Sequence, residues 1–537
     1  MKIRSLGVTA VAVAVASALA LSGCAGETTP DAGSANASAL ISTNGSEPEV
    51  GLIPTNTNEV GGGKILDSIF AGLVYYDATG KAVNDVAESI ETDDATTFTI
   101  TIKPDLTFTN GDPVDADSFI NAWQYGALLS NAQKNSYFFE DIEGFSYDED
   151  SPLTGLVKVD DTTFTVTLKE ARSDFAGRLG YSAFYPLPAA AWDDIEAYGE
   201  NPIGNGPYML DGEGAWKHNE SIALVTNDEY EGGRKAQNGG LNITFYIDQA
   251  AAYADLLAGN LDVLDAIPDS AYSNFEADLG DRAINQAAAV FQSFTIPGRL
   301  AHFDGEEGQL RRQAISMAIN REEITDVIFE GTRTPATDFT SPVIDGYSDE
   351  LKGAEVLEFN EEEAQKLWAE ADAISPWEGT FSIAYNADGG HQGWVDAVSN
   401  SIKNVLGIDA EGAPYPTFAE ARTLISSREI QTAFRTGWQA DYPGLYNFLG
   451  PLYATNASSN DGDYSNPEFD ALLSEGAADS DAEAGVAKFQ EAQEVLLQDL
   501  PSIPLWYSNV TGGFGTAVSN VEFGWNSVPL YYEITKN

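Results

Sequence analysis

A single cysteine in 537 residues sets the first limit on how this chain can fold. Cys24 follows a stretch that starts with the basic residues Lys2 and Arg4 and continues as an almost unbroken apolar run over residues 7–21. That run is shorter than the ~20 apolar residues of a membrane-spanning helix, and such a basic-then-apolar start is typical of an export signal. Because one cysteine cannot form an intramolecular disulfide, the exported body must be stabilised by its hydrophobic core.

The end of this stretch, Leu21-Ser22-Gly23-Cys24, resembles the bacterial lipobox. The resemblance implies that residues 1–23 are a signal peptide and that Cys24 becomes a lipid-modified N-terminus. Two acyl chains on one residue anchor a protein stably, whereas a single chain binds a membrane only marginally. Residues 24–39 are small and polar without an apolar period, which predicts a flexible tether. We therefore expect a lipid anchor on the outer face of the bacterial cytoplasmic membrane.

The charge of the chain excludes one class of partner. Its 83 acidic residues outnumber 27 basic ones, for a formal net charge of −56. Nucleic-acid binding depends on the neutralisation of phosphates by Lys and Arg, so we expect no nucleic-acid partner. The hydrophobic fraction of 43% is sufficient for well-packed cores, and a chain of this length indicates roughly two or three domains.

Two short segments have the alternating, β-branched pattern of strands. They are TTFTITI at 96–102 and TTFTVTL at 162–168, each preceded by Asp residues that suit a turn. Their similar form predicts that both belong to one antiparallel sheet. Two segments contain informative glycines. Asn110-Gly111 predicts a turn, and Gly204 and Gly206 are expected to require positive φ.

Helix starts are marked by asparagines. Asn320 and Asn360 are each followed three residues later by a Glu and then by apolar residues on one face, which predicts capped helices. Asn466-Pro467 places proline at the first helical position. Helices and strands that alternate along the whole body predict an α/β fold class.

Six segments with a distinctive residue order follow one another along the body. They are FTNGDPV at 108–114 with ADSF at 116–119, PIGNGPY at 202–208, GNLDV at 259–263, RRQA at 311–314 with AINR at 318–321, WQADYP at 438–443 and LPSIPL at 500–505. In this order and behind a lipobox, they resemble the peptide and nickel class of ABC-importer solute-binding proteins. The resemblance runs from about residue 41 to the C-terminus.

The resemblance implies a periplasmic-binding-protein-like fold of two lobes joined by a two-segment hinge. The first lobe would comprise residues 40–70, 186–289 and 508–537, an extra subdomain 71–185, and the second lobe 290–507. Such a body closes on its ligand by hinge motion. The implied function is the capture of short peptides by a monomer and their delivery to the transmembrane subunits of a permease.

A zwitterionic peptide requires an anion for its α-amino group, a cation for its carboxylate and backbone partners along its length. In oligopeptide-binding members of the class, an Asp that matches Asp441 pairs with the α-amino group. An Arg that matches Arg435 helps to bind the carboxylate end. Trp438 lies in the same segment and is a third candidate. The alternatives are a turn-capping Asp441 and an Arg435 that forms a surface salt bridge.

Three further residues are candidate ligand contacts by the same resemblance. His391 lies where oligopeptide binders carry a His near the ligand's C-terminal end. Tyr415 matches an aromatic position of a side-chain pocket, and Tyr137 is a similar residue in the extra subdomain. Ordinary packing is the alternative for each. The segment 326–331 departs from the class because it lacks the Lys that oligopeptide binders use for the carboxylate.

Other functions remain open at this point. The same fold carries oligosaccharides, and nine Trp and 23 Tyr could stack on sugar rings. It also carries nickel chelates, but three scattered His and no free Cys give no metal-ligand pattern. An extracellular hydrolase is disfavoured because the sequence has no Gly-x-Ser-x-Gly or His-Glu-x-x-His motif. We predict no catalytic residues, metal or cofactor. A signalling or adhesion role for the same binding protein is a third alternative.

Overall fold

The computed structural model describes residues 36–387, 390–416, 418–457 and 459–537. The predicted signal peptide, the predicted lipidation site Cys24 and most of the predicted tether lie outside the described residues.

Twenty β-strands form within the described residues. In chain order, β1 to β20 span Leu40–Gly45, Val74–Tyr76, Ala82–Asn84, Ala87–Thr92, Thr97–Ile102, Leu156–Lys158, Thr163–Thr167, Tyr208–Leu210, Trp216–Lys217, Ser221–Thr226, Gly240–Phe245, Val263–Leu264, Ala283–Thr295, Arg333–Pro335, Thr380–Asn386, Asp409–Tyr415, Ala433–Gln439, Ser502–Phe514, Val518–Ser519 and Thr535–Lys536.

Fourteen α-helices accompany them in the same part of the chain. In chain order, α1 to α14 span Val60–Ile69, Ala116–Ala127, Phe175–Arg178, Ile195–Glu200, Gln249–Ala258, Phe275–Leu279, Gly305–Met317, Arg321–Ile328, Glu361–Ile374, Gln392–Leu406, Phe418–Ser426, Leu445–Tyr453, Pro467–Ala478 and Ala482–Asp499.

The main sheet has 12 strands, ten of them in the order β16-β15-β17-β13-β18-β12-β1-β11-β10-β8, with β14 beside β18 and β9 beside β10. Parallel pairs occur on both sides, β1 with β11 and β15 with β16. The long antiparallel strands β13 and β18 join the two parallel regions, and their register shifts between Ala287 and Phe291. The chain is expected to pass between the lobes at residues 289/290 and 507/508. The first of these points lies in β13 and the second in β18. The topology is that of a two-lobed α/β protein.

A separate four-stranded sheet confirms the strand prediction. Its order is β4-β5-β7-β6, and β5 pairs with β7 antiparallel, Ile100 opposite Phe164. Alternate residues of both strands are buried because side chains on a strand point alternately to opposite faces. The similar pattern of the two segments therefore reflects one shared buried face.

The asparagine caps are also confirmed. The side chains of Asn320 and Asn360 accept hydrogen bonds from the backbone N–H three residues on, and α8 and α9 begin directly after them. Asn466 caps α13, which has Pro467 at its first position. The turn at Asn110-Gly111 is present as well, with φ +86° at Gly111.

The expectation for Gly204 and Gly206 is wrong, because neither has positive φ. Both glycines instead let the chain pass close to the end of α1. A Cβ on Gly206 would lie 2.6 Å from the backbone nitrogen of Phe70, and one on Gly204 would overlap the Ile69 carbonyl. Asn205 between them bonds the backbone of Ala71, accepting from its N–H at 2.9 Å and donating to its carbonyl at 3.0 Å.

The buried apolar residues form two large clusters. The first extends through residues 41–263 with part of the C-terminal segment 510–534, and the second through 289–507 with Trp525. The four-stranded sheet and α2 belong to the first cluster, where Trp123 and Phe164 are fully buried. The region expected to be an extra subdomain thus shares one core cluster with the region expected to be the first lobe.

Candidate functional site

The segment with the strongest sequence signal lies on β17, between the two core clusters. β17 pairs antiparallel with β13 from Phe434 to Gln439, and its other edge pairs with β15 only at Ala433 and Phe434. From Arg435 onward, no strand of the described residues covers that second edge. Its backbone N–H and C=O groups are available to an added extended chain, the arrangement by which many peptides bind to a sheet.

The end of β17 lines a cavity of about 520 Å³. Gln439, Ala440 and Asp441 form one wall. The opposite walls come from α1, from the segment around Tyr181, and from the C-terminal loop 524–532. Those walls belong mainly to the first core cluster, whereas β17 packs on the second, so the cavity lies between the two core clusters.

Asp441 is positioned by a residue that the sequence did not single out. Asn447, on α12, donates from Nδ2 to Oδ2 of Asp441 at 3.0 Å and accepts from the Asp441 backbone N–H at 3.0 Å. The indole N–H of Trp438 donates to the same Asn447 oxygen at 3.1 Å. Burial raises the pKa of the Asp441 carboxyl, and no ion pair with it occurs in the described part of the chain. Asn447 therefore fixes the orientation of the Asp441 carboxylate, which has no ion-pair partner among the described residues.

Two tyrosines lie close to this carboxylate. Burial, with an added effect of the Asp441 charge, raises the pKa of both Tyr137 and Tyr181. Phe138 lies between the two, its ring centroid 4.5 Å from that of Tyr137 and 4.2 Å from that of Tyr181. Tyr137 remains 40% exposed. Tyr137 is therefore separated from Tyr181, a residue of the cavity wall, by the ring of Phe138, and its ligand role stays a prediction.

Arg435 and Trp438 line a second, smaller cavity of about 180 Å³ further back along β17. The Nε of Arg435 is buried and has no hydrogen-bond partner among the described residues. Burial lowers the pKa of this guanidinium. Its Nη2 lies 3.6 Å from the point that a Cβ on Gly437 would occupy, so the side chain runs along the strand. Arg422 lines the same cavity, but its charge is paired with Asp461 at 2.6 Å.

His391 and Tyr415 lie elsewhere in the second lobe. His391 directly precedes α10 and accepts a hydrogen bond from the indole of Trp394 at 3.1 Å. Asp388 and Gly389, which precede it, are outside the described residues. Tyr415 ends β16 and packs against a small cluster that includes Phe434. Among the described residues neither side chain lines the two cavities along β17, and their ligand roles stay predictions.

Residues on the far wall of the larger cavity were missed by sequence reasoning. They are Asp67 on α1, Tyr185 in the segment that follows Tyr181, and Trp525 in the C-terminal loop. Trp525 packs against Tyr76 edge-on, with ring centroids 5.4 Å apart. These positions are far apart in sequence and share no motif, so only the fold reveals that they meet.

Comparisons with known proteins identify relatives of this chain. The family described as bacterial extracellular solute-binding proteins, family 5 (Middle), matches residues 81–460. The periplasmic oligopeptide-binding protein OppA of Haemophilus influenzae is 26% identical over 491 residues, which cover 87% of each chain. The oligopeptide-binding protein OppA of Bacillus subtilis is 24% identical over 482 residues, 85% of each chain.

Among solved structures, the unliganded open form of the murein tripeptide-binding protein MppA superposes with a TM-score of 0.83 at 21% identity. The superposition covers 94% of this chain and 98% of that one, so the fold is shared over nearly the whole length. The two-lobed architecture expected from the sequence is thereby confirmed. Since the family match extends over most of the chain, this protein belongs to the bacterial extracellular solute-binding proteins of family 5.

Proposed function

We propose that this protein is the solute-binding component of an ABC importer, which captures short peptides between its lobes and delivers them to a membrane permease. The observation that carries the proposal is the order of three groups along β17. Among the described residues, the Nε of Arg435 has no hydrogen bond, the strand edge that follows it is unpaired, and the carboxylate of Asp441 has no ion pair. An extended zwitterionic peptide is complementary to all three. Relatives named as oligopeptide-binding proteins support the same solute class.

The separation of the two charges limits the length of such a peptide. Six residues of extended chain from Arg435 to Asp441 span about 20 Å at ~3.3 Å per residue. Because the Arg435 side chain runs toward Gly437, the guanidinium lies closer to Asp441 than its Cα does. A ligand held at both termini would therefore have up to about six residues.

The movement that traps the ligand would occur between the lobes. We assign residues 40–70, 186–289 and 508–537 to the first lobe, 71–185 to an extra subdomain and 290–507 to the second lobe. The change of register in the β13–β18 pair, next to the assigned crossings, supports a hinge there. Closure would bring the tyrosine-rich far wall against a peptide lying on β17.

An oligosaccharide is the second candidate solute, because aromatic residues such as Tyr76, Tyr181 and Trp525 line the larger cavity. The buried carboxylate of Asp441 argues against it, since a neutral sugar would leave that charge without a partner. We propose binding without catalysis, in line with the relatives, which are named as binding proteins.

A thermal-shift screen of the purified protein tests the proposal. The panel contains di- to octapeptides, free amino acids, oligosaccharides and chelated nickel. A ligand that binds only the folded state raises the melting temperature, by the equivalent of ~2.7 kcal/mol at 100 times its Kd. We expect peptides to stabilise the protein and N-acetylated peptides to lose most of that effect. Stabilisation by oligosaccharides alone would contradict the peptide assignment.

We also propose that Cys24 anchors the protein to the outer face of the cytoplasmic membrane, where it would act as a monomer beside its permease. No helix of the described residues has the length and hydropathy to cross a membrane. Two acyl chains on Cys24 would provide the attachment. Cys24→Ala is expected to move the protein from the detergent-soluble membrane fraction to the soluble fraction. Retention of that variant in the membrane fraction would contradict lipidation at Cys24.

A further inference from the structure

The larger cavity contains a second acid that the peptide-anchoring scheme does not use. Asp67 lies on α1, on the wall opposite Asp441, and both residues line the same 520 Å³ space. Its Oδ1 accepts a hydrogen bond from the hydroxyl of Tyr185 at 2.8 Å. Burial raises the pKa of this carboxyl. The cavity therefore has an acid on the α1 side as well as on the β17 side.

The cations of the same wall form their salt bridges with other acids, and the charge of Arg234 only partly offsets the effect of burial on the pKa of Asp67. Lys64 lies 2.5 Å from Asp265, and Arg234 lies 3.2 Å from Asp85. The guanidinium of Arg234 also donates to the backbone carbonyl of Asp67 at 2.5 Å, so its hydrogen bonds go to Asp85 and to the backbone. Both cations are thus matched by acids that do not line the cavity.

The other two acids of the wall are committed to backbone groups. Glu59 caps α1 by accepting from the N–H of Gly62 at 2.9 Å. Asp77 accepts from the N–H groups of Thr79 and Lys81 at 2.9 and 3.0 Å. Asp67 and Asp441 differ from them because, among the described residues, no backbone N–H donates to either carboxylate. Each accepts its hydrogen bond from a neutral side chain, Tyr185 or Asn447.

An aromatic wall lies between the two carboxylates. The charges of Asp441 and Asp67 both act on the hydroxyl of Tyr181, whose pKa is raised first by burial and then by these two acids. Tyr76 is likewise influenced by Asp67 and packs against Trp525. Aromatic faces attract cations, most strongly where water is excluded. Two buried carboxylates separated by tyrosines suit a ligand that carries two positive charges a short distance apart.

We propose that Asp67 is a specificity-determining residue that binds a cationic side chain, lysine or arginine, on the first residue of the peptide. This inference rests on the proposed function: Asp441 binds the α-amino group, and the first side chain then extends across the same cavity toward α1. A lysine or arginine supplies the salt bridge that Asp67 does not form with any of the described residues. Peptides with a neutral first residue leave that carboxylate without a salt bridge and bind more weakly.

The first test compares ligands on the unaltered protein by isothermal titration calorimetry. The probes are Lys-Ala-Ala-Ala, its Nε-acetyl-lysine form and norleucine-Ala-Ala-Ala, which share length and termini. We expect the lysine peptide to bind at least about tenfold more tightly than the other two, since a charged pair formed away from water is lost in both. Equal affinities would overturn the role of Asp67 and leave peptide binding itself intact.

The second test uses two variants that each remove one acidic charge. Asp67→Asn should lower affinity for the lysine peptide about tenfold and change that for the norleucine peptide by less than about twofold. Asp148→Asn, at an exposed acid that lines neither cavity, is the control and should alter neither affinity. An equal loss for both peptides in Asp67→Asn would show a structural role and overturn the inference. Absence of binding by every peptide to the unaltered protein would refute the proposed function and this inference with it.

Discussion

Replacing Asp441 with asparagine is expected to weaken peptide binding about 100-fold, or ~3 kcal/mol. The substitution keeps the shape of the side chain but leaves the ligand's α-ammonium without its counter-charge in a partly buried site. Asn447 still has a polar group at position 441 to bond, so the fold should be retained. Isothermal titration calorimetry of a tetra-alanine peptide against both proteins measures the difference. Unchanged affinity in the folded variant would contradict the assignment.

The same peptide with an acetylated N-terminus serves as the control ligand. It lacks the ammonium, so it should bind both proteins with the same low affinity. The change in the protein and the change in the ligand form a double-mutant cycle. Its coupling energy measures the interaction between the Asp441 carboxylate and the α-ammonium group. Additive losses would show that Asp441 and the α-amino group act independently and would exclude direct pairing.

The pH dependence of binding follows from the burial of Asp441. Burial raises its pKa in the ligand-free protein, so the folded state binds this proton more tightly than the unfolded chain does. The group's contribution to stability is therefore present at low pH and is lost as the pH rises through the raised pKa. A bound ammonium favours the ionised carboxylate instead. Affinity should consequently fall as the pH is lowered through that pKa, and in Asp441→Asn this fall should be smaller.

Local sequence rules predicted the elements that are determined by local interactions. The alternation of TTFTITI and TTFTVTL identified β5 and β7, and the asparagine caps identified α8, α9 and α13. The same rules failed at Gly204 and Gly206, where tertiary contact with the end of α1 requires glycine and the backbone angle does not. A residue type that serves two purposes cannot be interpreted from its neighbours in sequence alone.

The candidate site likewise contains residues that the sequence could identify and residues that only the fold brings together. Asp441, Arg435 and Trp438 occupy one short segment, so a resemblance in sequence could identify them together. Asn447 orients the carboxylate from the next helix, and Asp67 reaches the cavity from a segment more than 370 residues earlier in the chain. Such partners meet only through the packing of the two lobes. The sequence patterns therefore could not predict the contacts between residues that are distant in the chain.

Arg178→Met is expected to lower the free energy of unfolding by about 3 kcal/mol, because it removes the cation shared by two partly buried carboxylates. Asp141 keeps Arg172 at 3.4 Å, but Asp174 is left with no ion pair among the described residues. The Arg178 guanidinium lies 2.9 Å from Asp174 and 2.7 Å from Asp141, and these side chains are only 12–18% exposed. Its carbon Cζ also lies 5.0 Å from the ring centroid of Tyr442. Urea denaturation monitored by tryptophan fluorescence measures the change.

Lys158→Met is the matched control, since it removes another cation that contacts two carboxylates. Lys158 lies 2.8 Å from both Asp117 and Asp161, but the group is exposed to water. Exposed pairs of this kind contribute little to stability, so the denaturation midpoint should barely move. Adding Asp174→Asn to Arg178→Met should recover part of the lost stability, because one unpaired charge is removed. Similar losses in the two single variants would contradict the burial argument.

The position of Arg178 also connects stability with binding. Tyr442 directly follows Asp441 and donates its hydroxyl hydrogen bond to Asp174 at 2.7 Å, and its ring packs in the first core cluster. Residues 173 and 174 thus attach the expected extra subdomain to the second lobe, where Ser173 also bonds the Gly476 carbonyl at 2.7 Å. If this attachment positions Asp441, peptide affinity should fall in Arg178→Met even at temperatures where the variant is fully folded. An unaltered affinity would mean that Asn447 alone positions the carboxylate and that the Arg178 cluster contributes only to stability.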